Sequence, residues 1–154
     1  MRGIESASTA LIRGGSVTAD SRPRIAVVDD DPTMLDLLAT LLSEAGYITN
    51  CWPSGLLAFE RLVNDPPDLV ILDLQLDDDP EAGWHILSDL RVEPRTAHIP
   101  VLVMSAHREY LNRRQYILRT RKRALTLAKP FDVDMLLERI QDALLLAPGA
   151  LDGQ

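Results

Sequence analysis

Three aspartates in succession, Asp29, Asp30 and Asp31, follow four apolar residues at positions 25–28. Carboxylates this close repel, so each favours protonation or a cationic partner. Taken alone, the run is either a solvated turn that caps a helix or the seat of a cation. Three other apolar runs close on a reactive residue: "LVILD" on Asp73, "VLVMS" on Ser105 and "ALTLAK" on Lys129. If all four runs are parallel strands, these residues share one edge of a sheet, the edge at which open α/β sheets bind ligands. Carboxylates around one point are tolerated when a hard divalent cation joins them, and an oxygen-rich, partly hydrated site suits Mg²⁺ (or Mn²⁺). A lysine and a hydroxyl opposite the metal make the constellation a phosphoryl-binding site. A carboxylate within it can act as nucleophile and form an aspartyl-phosphate, with metal and lysine neutralising the equatorial oxygens during transfer.

The elements that must position these residues alternate along the chain. "RIAVV" is continuously apolar, as a strand buried on both faces should be. Asp31 is placed to cap the next helix, and Pro32 suits its first position. Leu35, Leu38, Leu41 and Leu42 keep helical spacing until Gly46 ends the helix. "YITNCW" reads as a strand, and Pro53-Ser54 opens a helix carrying Leu56, Leu57, Phe59, Leu62 and Val63. "DLVILDL" is a buried strand, "GWHILSDLR" a short helix and "IPVLVMSA" another buried strand. Residues 108–119 are helical in pattern, "ALTLA" is a last strand, and "DVDMLLERIQDALLLA" is a last helix with Asp132 as its N-cap. Five strands alternating with five helices predict an α/β fold, a doubly wound parallel sheet with helices on both faces. Residues 1–22 lack a sustained period and read as a flexible tail with a short helix around 4–12 as an alternative. Residues 23–147 read as one domain, and 148–154 as a C-terminal tail.

The chain's 154 residues suffice for one full core. One cysteine, Cys51, excludes an intrachain disulfide. No stretch approaches a membrane span, and the N-terminus has no signal-peptide core, so a cytoplasmic protein is expected. The net charge of −7 speaks against a general nucleic-acid binder. That average conceals a basic segment: residues 108–123 hold seven Arg or Lys against one Glu, about +6, leaving about −13 elsewhere.

The chain from about Arg24 to Leu146 resembles the receiver domain of two-component response regulators. "VVDDDP" is similar to the family's acidic pair, "LVILDLQL" to its phosphoacceptor strand, "VLVMSA" to its switch-hydroxyl strand and "LAKPF" to its Lys-Pro-Phe. The four motifs occur in the family's order. The resemblance implies a flavodoxin-like fold with strand order 2-1-3-4-5. It implies Asp73 as phosphoacceptor, Ser105 as switch hydroxyl and Lys129 as phosphoryl contact. Asp29, Asp30, Asp73 and the Gln75 backbone carbonyl would hold the metal. Ala106, His107 and Thr126 occupy modulating positions, and the Lys129–Pro130 bond is expected to be cis. A sensor histidine kinase or histidine-phosphotransfer protein would supply the phosphoryl group. The expected role is a switch rather than a metabolic enzyme, despite autocatalytic phosphorylation and slow self-dephosphorylation.

Three departures from the family pattern stand out. The loop "DDDPEAG" is about two residues longer than usual and brings Asp77, Asp78 and Asp79, read mainly as a solvated loop. Thr126 replaces the usual aromatic three residues before the lysine. The basic run "RTRKR" replaces the usual Gly-Ala before the last strand, removing a glycine cap. His85 and His98 read as surface or packing residues, and Cys51 as a small core-facing one. With no output domain after residue 148, the signal is expected to pass to a partner protein, in part through segment 108–123. A homodimer pairing that segment with the chain's own acids stays open. Two rival readings share the motifs: a phosphorylation-independent pseudo-receiver, and a Mg²⁺-dependent phosphohydrolase. The second ordinarily has an acid two residues past its nucleophile, where this chain has Gln75.

Overall fold

The computed structural model describes residues 21–76 and 78–146. Asp77, most of the 1–22 segment and the segment from 147 onward lie outside the described residues. Five strands, β1 (Arg24–Val28), β2 (Ile48–Trp52), β3 (Leu69–Asp73), β4 (Val101–Ser105) and β5 (Ala124–Ala128), alternate with five helices. The helices are α1 (Pro32–Glu44), α2 (Gly55–Asn64), α3 (Ala82–Val92), α4 (Arg108–Thr120) and α5 (Val133–Leu144). The strands form one parallel sheet in the order β2-β1-β3-β4-β5, as the resemblance implied.

The continuous apolar runs are buried because helices cover both faces of the sheet. One core packs Val28, Val70, Leu72 and Val103 against α2, α3 and α4 through Ala58, Leu62, Leu87, Leu90, Leu111 and Leu118. The other packs Val27, Ile71, Leu102 and Met104 against α1 and α5 through Leu38, Leu42, Leu136 and Ile140. Alternate residues of each strand feed opposite cores, as the period of two requires. Edge strand β2 is only half-buried, and Cys51 packs against the α1–α5 core. Asp31 caps α1, accepting from the Thr33 N–H at 3.0 Å, and Asp132 caps α5, accepting from the Met135 N–H at 2.8 Å. Gly46, at φ 95°, turns the chain out of α1.

The turn into β5 is built without the glycine that usually permits it. Arg123 takes the left-handed conformation at φ 51°, which costs a residue with a Cβ about 1 kcal/mol. Arg91, reaching across from α3, holds this turn. Its Nε donates to the Lys122 carbonyl, and its Nη2 donates to the Arg123 carbonyl at 3.3 Å. Burial, with the Arg123 charge beside it, lowers Arg91 to about 10, so it stays cationic at neutral pH. Arg123 in turn donates to the Leu146 carbonyl at 2.9 Å, pinning the end of α5.

Replacing Arg91 with Met keeps the apolar stem and leaves these carbonyls unpaired. A loss of about 2 kcal/mol is expected in urea unfolding. A change below about 0.5 kcal/mol, the scatter of ordinary surface substitutions, would show that the turn holds without the clamp.

Candidate functional site

Strand register brings the chemistry together. Val28 pairs with Leu72, so Asp29 and Asp73 come next on neighbouring strands. The Asp29 N–H still donates to the Trp52 carbonyl at 3.2 Å, which extends the β1–β2 ladder to the site. Ser105 pairs with Ala128, so Lys129 is the first residue beyond β5, and its N–H donates to the Ser105 carbonyl at 2.9 Å. Lys129 therefore starts two strands away from Asp73, about 10 Å at the usual ~4.8 Å spacing. Only a long side chain crosses that gap. The Lys129–Pro130 bond is cis, as expected.

Among the described residues, the buried polar side chains are Asp29, Asp73, Ser105 and Thr96. Three of these four are predicted site residues, which marks this edge as the place where apolar packing gives way to chemistry. Lys129 Nζ donates to Asp73 Oδ2 at 2.8 Å and to Asp29 Oδ2 at 3.1 Å. The other oxygens take backbone donors: Asp29 Oδ1 accepts from the Asp31 N–H at 2.9 Å, and Asp73 Oδ1 from the Gln75 N–H at 3.0 Å. Burial pushes the Asp29 carboxyl above its ordinary value; the Asp31 N–H opposes this, and the Asp73 charge adds to the rise. For Lys129, burial acts downward, but the hydrogen bond and charge of Asp73, then those of Asp29, outweigh it and hold the ammonium above its usual value.

Asp29, Asp30 and Asp73 each offer a carboxylate oxygen within 4.8 Å of the others. Asp30 is exposed while its two neighbours are buried. An all-oxygen set open to water on one side fits a hard divalent cation. The cleft at this point, about 230 Å³, is lined by these three acids together with Asp31, Gln75, Asp78, Ala106 and Lys129. Asp78, expected in a mainly solvated loop with metal or partner involvement as the alternative, lines the rim of the cleft. Its loop folds back through hydrogen bonds between Leu76 and Asp79 in both directions, at 2.8 and 3.3 Å, and Asp78 sits at φ 63°.

The remaining predicted residues occupy different positions around the cleft. Ser105 is buried behind it, its Oγ accepting from the His107 N–H at 3.0 Å. His107 Nε2 and Gln75 Oε1 meet at 2.9 Å, so the two side chains are joined to each other. Thr126 lies in the body of β5, paired in register with Val103, away from the cleft. Sequence reasoning missed Gly83. Its N–H donates to the Leu74 carbonyl at 2.9 Å, and a Cβ there would collide with the Asp73 carbonyl oxygen and Leu74 Cα. The signal was the glycine at the start of a helix, directly after the acidic loop.

Comparison with known proteins bears on the whole of this arrangement. Residues 25–141 match the model of the response regulator receiver domain. The DNA-binding dual master transcriptional regulator RpaA of Synechocystis is 37% identical over 123 residues, covering 79% of this chain and 49% of RpaA. The transcriptional regulatory protein GlrR of Escherichia coli is 32% identical over 128 residues, covering 82% of this chain and 27% of GlrR. The chain thus spans half or less of the length of these relatives. The crystal structure of NtrX from Brucella abortus superposes with a TM-score of 0.72 at 26% identity, over 85% of this chain and 28% of that one.

The electrostatics of Asp29 give a measurable consequence. A carboxyl raised on folding contributes stability that is full below its unfolded pKa, near 3.8, and is lost as pH rises through the folded value. In buffer free of divalent cations at neutral pH, Asp29→Asn is therefore expected to raise the urea midpoint. The advantage should shrink as pH falls through the raised folded value of Asp29 and wild type becomes protonated too. A lower midpoint for the variant at neutral pH would contradict the burial argument.

Proposed function

The chain belongs to the response regulator receiver family, and from that premise we propose that it is a phosphorylation-controlled switch with Asp73 as its phosphoacceptor. As a receiver domain of a two-component system, it is a signalling domain. The observation that carries the finer reading is the meeting of Lys129 with Asp29 and Asp73 at the sheet edge, beside Asp30 at metal-ligand spacing.

In this reading the donor is a phosphohistidine on a sensor kinase or phosphotransfer protein. A carboxylate oxygen of Asp73 bonds to phosphorus as the P–N bond breaks, and the imidazole nitrogen leaves with the electron pair and takes up a proton. Asp29, Asp30, Asp73 and the Gln75 carbonyl would hold Mg²⁺, which supplies charge neutralisation on the phosphoryl oxygens. Lys129, already charged and aimed at Asp73, neutralises another of those oxygens. Phosphorylation adds about −1.5 to −2 of charge. Ser105, whose Oγ accepts from the His107 N–H, then turns its hydroxyl to donate to the phosphoryl group, and the loop after β4 follows. A downstream protein partner reads the resulting change on the face formed by α4, β5 and α5, where Arg119 is exposed. A cytoplasmic location accords with this partnership; among the described residues no helix is long and apolar enough to cross a membrane.

Incubation with acetyl phosphate and Mg²⁺ should add one phosphoryl mass to the wild type and none to Asp73→Asn. An equal gain in the variant would refute the assignment. Asp30→Ala should abolish Mg²⁺-dependent phosphorylation while leaving the unfolding free energy within about 0.5 kcal/mol of wild type. Loss of all labelling by wild type under these conditions would instead favour a phosphorylation-independent interaction module.

In this reading the joined side chains of Gln75 and His107, two residues past the acceptor and the switch hydroxyl, flank the path of a water attacking Asp73. Replacing both with Ala should change the dephosphorylation rate severalfold, read by mass after removal of the donor, with little change in unfolding. Superimposable decay curves would exclude the pair from that role.

A further inference from the structure

The layer of α2, α3 and α4 differs from the opposite layer in charge and exposure. A groove of about 850 Å³ runs between α2 and α3. Leu57, Phe59, Val63 and Ile86 supply its apolar lining, and Glu60, Asp79, Asp89 and Glu93 its acidic one. Among the described residues, the three most exposed large hydrophobic ones, Leu56 at 89%, Val92 at 79% and Tyr116 at 76%, all belong to this layer. An apolar groove rimmed by acidic residues is the kind of surface that marks an interaction site.

The same layer carries the complement. Tyr110, Arg114, Ile117 and Arg121 recur at helical spacing along α4 and its C-cap. Its inner part, Arg114 and Tyr110, packs toward α3, Arg114 lying over Trp84 of α3 at 4.8 Å and over Tyr110 at 4.5 Å, while Ile117 and Arg121 are exposed. Arg114, Lys122 and Arg123 are occupied within the molecule: Lys122 donates to Ser88 at 3.2 Å, and Arg123 holds Leu146. Arg121 and Arg113 are exposed, and among the described residues Arg113 is engaged only by Glu109, in a surface pair at 3.0 Å, a contact of little strength. Ile117 lies between them, 39% exposed.

We propose that the α2–α3 groove receives α4 of a second copy of this chain, in a symmetric dimer about an axis near α3. Strand order fixes the sequence of helices across this layer as α2, α3, α4. A two-fold axis at the middle helix places α4 of each copy opposite the groove of the other, so both contacts form at once and the interface closes. Arg113 and Arg121 then face Glu60 and Asp89, while Ile117 meets the apolar lining. Charge complementarity selects this occupant, because both halves of the contact are present on one chain.

The full chain should show a concentration-dependent dimer in sedimentation equilibrium, weakened as salt screens the charge pairs. Two variants test the contact, both altering exposed residues outside the phosphoryl site. Glu60→Arg with Asp89→Arg makes the groove basic; Arg113→Glu with Arg121→Glu makes α4 acidic. Each alone should weaken self-association at least about tenfold, since like charges then face each other. Mixed in equal amounts, they should form a heterodimer, because both contacts of that pair are again attractive. Circular dichroism and urea midpoints near wild type establish that the variants fold. A monomer at all attainable concentrations would overturn the proposal and leave the groove to a helix of another protein. A dimer unaffected by either variant, or variants that fail to pair when mixed, would place the interface elsewhere.

Discussion

One ammonium between two buried carboxylates governs the functional edge of this fold. Asp29 and Asp73 lie on adjacent strands with little access to water, where two uncompensated charges would oppose packing. Lys129 neutralises part of that repulsion through its two hydrogen bonds. The contact joins the ends of β1, β3 and the segment after β5, and so ties together sheet positions far apart in sequence. A register slip of one residue in β3 or β5 would reverse the side chains and separate the groups. Charge pairing at the edge therefore reinforces the register that apolar packing sets in the sheet.

The fold and much of the site were legible because a parallel sheet writes itself simply into sequence. Each inner strand is a short apolar run, and the first polar residue marks its carboxyl end. That rule located Asp29, Asp73 and Ser105 without tertiary information; Lys129 follows the edge strand β5, whose apolar run is broken by Thr126, and topology placed all four on one edge. The helix caps at Asp31 and Asp132 were readable for a local reason: each binds a backbone N–H two or three residues on. Contacts that depend on side-chain reach across elements were not readable. Arg91 resembles any helix-surface arginine until the turn before β5 is seen beside it. Gly83 shows its purpose only when helix α3 is set against the end of β3.

The basic segment illustrates the same boundary. Sequence gives its charge but not how that charge is shared. Arg114 and Lys122 cover the Trp84 ring, with Arg114 also on Tyr110, so part of the segment serves as packing between α3 and α4 through long stems and cation–π contact. Arg123 tethers the end of α5. What remains outward is a narrower pattern than seven positive residues suggest, divided between two sides of α4.

The backbone bond from Lys129 to Ser105 has a mechanical consequence. Lysine and hydroxyl stand on neighbouring strands locked by this bond and by the β4–β5 ladder, so neither main chain can shift along the sheet without dragging the other. The sheet edge thus acts as a stiff anvil. On the proposed function, a new charge at this edge would act less through strand sliding than through parts outside the ladder, chiefly the turns after Asp73 and Ser105. A rigid floor leaves the rim as the compliant element, the place where, in the proposed switch, a local chemical event would become a change of shape.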